Sequence, residues 1–218
     1  MRFTLAATLV TLALAAGAGP ASAAGLTGLG KAIFGDSAFQ FHKANLAAVP
    51  VHAIGVGDLE VVLQKTRLKD IQKAYGGTIQ EQGDGADQAN WLCYTTDGSG
   101  GPATNVWFIA NALGGHEFVM IVAAELANPK KPAADCEPAS AEFVTPEFGV
   151  PGLGAGTADI KSTLGTAPVK GGKLSYRADE PGADALGTAL NVQYIGYFIG
   201  KDRVTGIGIG ETSAQIPQ

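Results

Sequence analysis

Apolar positions along the chain fall in short runs of strand length separated by glycine, proline and aspartate. Leu59-Glu60-Val61-Val62-Leu63 and Phe118-Val119-Met120-Ile121-Val122 are two such runs, and they give the chain a core to bury. Two stretches carry helical spacing instead. In the first, Thr66 is placed to cap a helix whose Leu68, Ile71 and Tyr75 share a face before Gly76-Gly77 ends it. In the second, Thr157 is placed to cap, Asp159 sits where the helix dipole favours an acid, Ile160 and Leu164 face inward, and Gly165 with Pro168 stops the turn. Each helix is followed by extended segments. Trp91-Leu92-Cys93-Tyr94 leads to Asn105-Val106-Trp107-Phe108-Ile109, and Lys173-Leu174-Ser175-Tyr176 leads to Asn191-Val192-Gln193-Tyr194-Ile195.

These segments resemble one another. Residues 105–125 lie over 191–211 without a gap, at a constant offset of 86, with Gly114, Ile121 and Glu125 meeting Gly200, Ile207 and Glu211. Upstream, Asp70-Ile71 and Tyr75-Gly76 match Asp159-Ile160 and Leu164-Gly165, with length changes in loop-like stretches. The pattern predicts an α+β fold made of two tandem copies of a short helix followed by an antiparallel β-meander, with the helices packed on one sheet face. The boundaries are a leader at 1–23, an N-terminal segment at 24–55, unit one at 56–127, a linker at 128–146 and unit two at 147–218. In the N-terminal segment, Ala32, Ile33, Phe39, Phe41 and Leu46 are spaced for a short amphipathic helix packed outside unit one.

Strand alternation and the repeat together assign faces. Leu92 and Tyr94 match Leu174 and Tyr176, whereas Trp91 and Cys93 match the polar Lys173 and Ser175, so the second set marks an outer face. By the same pairing Trp107 and Gln193 belong outside, and Phe108 and Tyr194 inside. Trp91 and Trp107 therefore form either an open binding face or a surface covered by the linker that carries Cys136. The rarity of large exposed aromatic surface in monomers favours cover.

The 218 residues include 31 glycines, consistent with many tight turns, and carry a net charge of −5. Arg2, an uncharged stretch over residues 4–19 and Ala21-Ser22-Ala23 have the layout of a secretory signal peptide cleaved after Ala23. Removal would leave 14 basic against 20 acidic side chains, which disfavours nucleic acid as a partner. The stretch is too diluted by alanine and glycine for a stable membrane anchor, and no cysteine stands at the cleavage point to take a lipid. In an oxidising compartment the two cysteines, Cys93 and Cys136, read as one disulfide, worth about 2 to 4 kcal/mol through the unfolded chain. The location that follows is periplasmic or secreted.

Several catalytic patterns begin and are not completed. Gly25-Leu26-Thr27-Gly28-Leu29-Gly30-Lys31-Ala32 has the outline of a phosphate loop with alanine where the magnesium-binding hydroxyl belongs. Gly152-Leu153-Gly154-Ala155-Gly156 misplaces the third glycine of a dinucleotide fingerprint. His116-Glu117 opens a zinc-protease pattern whose second ligand position is Met120, and His42 and His52 are the only other histidines. Asp97-Gly98-Ser99-Gly100-Gly101-Pro102 resembles a serine-protease stretch with aspartate and glycine transposed, and is read as a turn. The pairs Asp179-Glu180 and Glu142 with Glu147 are read as solvated loop acids. No catalytic, cofactor or metal residue is assigned.

The helix-then-meander pattern, and in particular the stretch GVPGLGAGTADIKSTLGTAPVKGGKLSYR, resembles the β-lactamase inhibitory proteins and the small outer-membrane-assembly lipoproteins of the BamE/SmpA kind. The resemblance spans about residues 56–214 and implies a non-enzymatic role through protein contacts. The sequence therefore leads to an exported protein-binding or envelope-accessory module, with an envelope or secreted protein as partner. A hydrolase of another class, or a small-ligand carrier, is the alternative; the first calls for a polar pocket where His116 or acids converge, the second for an apolar cavity between the copies.

Overall fold

The structure is a computed structural model that describes residues 25–35, 50–112, 114–184 and 187–215. The leader, His42, Phe39, Phe41 and Leu46 lie outside the described residues.

The described residues begin with helix α1 (Gly28–Gly35) and continue with a hairpin of strands β1 (Ala53–Val56) and β2 (Leu59–Val62) turned at Gly57, whose φ is +55°. Helix α2 (Leu68–Tyr75) follows, then strands β3 (Gln80–Gln82), β4 (Ala89–Thr95), β5 (Thr104–Asn111), β6 (Ile121–Leu126) and β7 (Glu137–Pro138). Helix α3 (Thr157–Leu164) leads into three long strands, β8 (Lys173–Asp184), β9 (Gly187–Gly200) and β10 (Arg203–Gln215). All strands after the first hairpin join one sheet in the order β3-β4-β5-β6-β10-β9-β8, with β7 added in parallel to β4.

The chain does not build two helix-plus-meander copies. It builds a largely β fold, 43% strand against 15% helix, on one mostly antiparallel sheet. The joint is the β6–β10 ladder, from Ile121↔Gly210 to Glu125↔Gly206, which makes the two meanders one surface. A shared sheet needs no separate core for each half, and the apolar side chains of both halves form one cluster. Leu92, Phe108 and Val122 continue into Ile209, Ile195, Tyr197 and Tyr176 on the same face.

That inner face is covered by Leu68 and Ile71 of α2, Ile160 and Leu164 of α3, the β1–β2 hairpin, and Phe143 and Phe148. The helices do not all lie on one face. Helix α1 packs on the opposite side, burying Leu29 and Ile33 with Trp91, Trp107, Ile121 and Ala123.

Local signals differ by one residue from the expected caps. The cap of α2 is Arg67, while the Thr66 hydroxyl accepts from the Val62 amide; the cap of α3 is Gly156, while the Thr157 hydroxyl donates to Asp202. In both helices an aspartate at the third position accepts from the capping amide, Asp70 at 3.1 Å and Asp159 at 3.0 Å. Gly76 (φ +77°) and Gly165 (φ +91°) end them in the left-handed region, and their carbonyls accept from the Tyr94 and Tyr176 hydroxyls.

The face assignment by offset fails on β9. Gln193 stands opposite Glu211 and shares the inner face with Ile195 and Tyr197, whereas Tyr194 faces outward with the Arg177 guanidinium 5.7 Å from its ring centroid. Trp107 does lie on the outer side, opposite Cys93 and Ala123. Side chains alternate with a period of two, so a one-residue difference in register between otherwise similar strands exchanges the faces.

Candidate functional site

Trp91 and Trp107 are brought together on the outer face and are both fully buried, so neither presents surface to a partner. Two elements cover them. Gly28 and Gly30 of α1 lie directly against the Trp107 ring, and Asp135 of the linker accepts the Trp107 indole N–H at 2.9 Å. The same carboxylate accepts from the Thr27 hydroxyl, tying α1 to the linker. Cys136, next in sequence, is disulfide-bonded to Cys93 on β4 and fixes this cover. Although Asp135 lies beside both sulfurs, the disulfide commits them, and the trio is not a metal-ligand set. Glu125 completes the seat of α1. Burial pushes its carboxyl above the usual carboxylate range, opposed by hydrogen bonds from the Asn105 amide and the Leu29 backbone.

At one end of the sheet the β4–β5 loop and the segment 141–146 enclose an open pocket of about 540 Å³. One wall is the glycine-rich loop. The Ser99 amide donates to Asp97 Oδ1 at 2.8 Å, and Gly98 takes a φ of +81°, which turns the backbone back towards β5. Hydrogen bonds from Ser99 hold the exposed Asp97 carboxyl below its ordinary range, so this rim is anionic. The opposite wall is apolar, with Val144, Pro146 and Leu153. It is anchored by Phe143, whose ring centroid lies 4.8 Å from that of Tyr94 and 5.1 Å from that of Tyr75. Between the walls runs a line of hydroxyls, Thr96 to Thr104 to Thr145, each step 3.1 Å. Thr104 is buried, whereas Thr145 is exposed and Val144 is 46% exposed beside it.

A second polar group occupies the other end of the sheet. Glu211, 7% exposed, accepts from Gln64 at 2.6 Å and from Gln193 at 3.2 Å, and lies 2.6 Å from His52 Nδ1. The other ring nitrogen of His52 is 3.1 Å from Glu180. Gln193 also makes two 2.6 Å bonds with the backbone of Val51, clamping the chain before β1 onto β9. The Ser213 hydroxyl lies 2.8 Å from Gln64 Oε1 and 2.7 Å from Asn191 Oδ1, and with one proton it donates to one of them at a time. Amide oxygens are not general bases, so this hydroxyl is positioned as a strut rather than as a nucleophile.

The incomplete motifs have structural places. Residues 25–32 form the lead-in and first turns of α1, where Gly28 lies against Trp107 and Glu125 and Gly30 against Trp107, so these glycines seat the helix on the sheet. Gly154 bonds Val204 and receives Arg203 at the entry to α3. His116 and Glu117 lie in an exposed turn before β6 rather than on the helix that a zinc-protease pattern needs, and the His116 carbonyl accepts from Asn90. Asp97 to Pro102 form the pocket loop. Asp179 and Glu180 belong to strand β8 rather than to a loop, and each is engaged, by Arg177 and His52 respectively.

Sequence reading identified the loop of the pocket but not its other wall, because Thr145 lies 41 residues from the Thr104 it bonds. Among the described residues no helix is long and apolar enough to cross a membrane. Comparison of the chain with protein-family models, with curated proteins and with solved structures gives no match.

Proposed function

We propose that this chain is an exported, non-enzymatic binding protein, and that the pocket between loop 96–102 and segment 141–146 receives an extended segment of a partner protein. The observation that carries the reading is the pairing of the two walls across the Thr96–Thr104–Thr145 hydroxyl line, one wall polar and glycine-rich, the other apolar. An extended polypeptide alternates its side chains between two directions and carries amides and carbonyls along its length. It therefore matches an apolar wall on one side and hydroxyls on the other. The anionic Asp97 on the rim favours a partner with a lysine or arginine at that point. The signal-like layout of residues 1–23 and the disulfide support export, and an exported chain would meet its partner among envelope or secreted proteins.

The test is a photo-crosslinking residue in place of Val144, used on envelope and secreted extracts. A discrete crosslinked partner is expected, lost when Thr145→Arg fills the pocket and weakened when Asp97→Lys reverses the rim charge. Crosslinks indifferent to both substitutions, or no crosslink at all, would reject the reading.

A further inference from the structure

The linker between β6 and β7 carries one stretch unlike the rest of the chain. Asn128-Pro129-Lys130-Lys131-Pro132 are five consecutive exposed residues, and Lys130-Lys131 is the only pair of adjacent basic residues in the sequence. The turn they form is held from within. The Asn128 carbonyl accepts from the Lys131 amide at 2.9 Å, and Asn128 Oδ1 accepts from the Lys130 amide at 3.0 Å. On either side the chain is fixed: the Ala127 amide donates to the Ala103 carbonyl, and Asp135 and Cys136 are held by Trp107 and Cys93. Opening the turn therefore disturbs neither the sheet nor the cover over Trp107.

Other exposed basic side chains among the described residues stand in firmer backbone. They lie on α1, α2, α3 and the cap of α2, on β10, in the short β9–β10 turn, or where the main chain is bonded to a strand, as Lys65 is to Val62 and Lys170 to Lys173. A serine-type endoprotease places the residue before the scissile bond in a specificity pocket, and a carboxylate in that pocket selects lysine or arginine. An exposed loop tip is where such an enzyme nicks a folded protein. The lysine pair offers it one bond. After Lys131 the leaving nitrogen belongs to Pro132, whose ring stands in place of the N–H, whereas after Lys130 it is the ordinary amide of Lys131.

We infer that the Lys130–Lys131 bond is a cleavage site for a trypsin-like endoprotease, and that the cut yields a two-chain form with its fold intact. The Lys130 carbonyl acylates the nucleophile of the protease, Lys131 leaves as a free amine with the proton that the nucleophile gave up, and one water then releases the Lys130 carboxylate. The piece ending at Lys130 contains α1 to β6 and Cys93; the piece beginning at Lys131 contains β7 to β10 and Cys136. The β6–β10 ladder and the shared inner core outlast the cut, and the disulfide becomes the only covalent tie between the pieces. The pocket outlasts it too. Its glycine-rich loop comes from the first piece and its apolar wall from the second, joined through the Thr104–Thr145 hydroxyls.

The experiment is limited digestion of the folded, oxidised chain with trypsin, read by mass spectrometry with and without a thiol and by near-ultraviolet circular dichroism. Addition of one water at Lys130–Lys131 is expected. The two pieces should stay joined without the thiol and separate with it, and the cut protein should keep the near-ultraviolet spectrum of the uncut one. Lys130→Gln should abolish this cut, because Lys131 is followed by proline, whereas Lys131→Gln should leave it in place. Digestion of the unaltered protein stands even if a substituted chain folds poorly. A 130–131 bond that stays intact under digestion of the folded protein, continued cleavage between residues 128 and 132 in folded Lys130→Gln, or loss of the near-ultraviolet spectrum on cutting here would each overturn the proposal.

Discussion

Trp107 and Trp91 offer a controlled comparison at the scale of one residue. Both are fully buried on the same face, but the Trp107 N–H is bonded to a buried carboxylate, whereas the Trp91 N–H has no partner among the described residues. Replacing either by phenylalanine removes a similar volume. Only Trp107→Phe also strips a hydrogen bond from Asp135, which is 2% exposed. In urea unfolding Trp107→Phe is therefore expected to cost about 1 to 3 kcal/mol more than Trp91→Phe; equal losses would mean that the Asp135 bond contributes nothing. The sequence placed both tryptophans on one face correctly, because strand alternation is local. It was silent on Asp135, whose position depends on a linker folding back across the sheet.

Helix α1 shows how an element is decided by what it meets. Its sequence, Gly-Leu-Gly-Lys-Ala-Ile-Phe-Gly, is a poor helix former, with glycine at Gly28, Gly30 and Gly35. The glycines serve close approach instead. A Cβ at Gly30 would lie 2.7 Å from Trp107 Cδ1, and one at Gly208 of β10 only 2.1 Å from Ile33 Cδ1. Gly30→Ala should thus lower stability despite the better helix propensity of alanine, because overpacking against a fixed indole costs about 1 to 3 kcal/mol against less than about 1 kcal/mol gained. A fall in melting temperature accompanied by a red shift of tryptophan emission is expected. A stabilised protein with unchanged emission would show that α1 is not seated by this contact. The helix periods of α2 and α3 were legible in the sequence, as was the glycine that ends each, since those depend on neighbours within a turn or two.

At the scale of the whole molecule, the β6–β10 ladder turns two runs of strands into one sheet with one continuous inner core. No boundary exists across which one half could melt while the other keeps its buried face. Calorimetry under oxidising conditions is accordingly expected to show a single transition, with calorimetric and van't Hoff enthalpies equal. Two resolved transitions would return the halves to independent units. The sequence similarity between the halves suggested such units because it records what each segment resembles; it carries no information on which strand lies beside which.

By itself, the sequence determined the features set by near neighbours: the strand and helix periods, the helix-ending glycines, the loop at Asp97–Pro102 and, with only two cysteines, the pairing of Cys93 with Cys136. Tertiary structure alone decided the rest. The β6–β10 joint fused the halves, the register of β9 turned Gln193 inward and Tyr194 outward, and the linker supplied both Asp135 to Trp107 and Thr145 to the pocket. The physical reason is range. Periodicity and capping act over a few residues, whereas strand order, register and the closing of a pocket are settled by contacts between segments tens of residues apart, where a shift of one residue exchanges the two faces of a sheet.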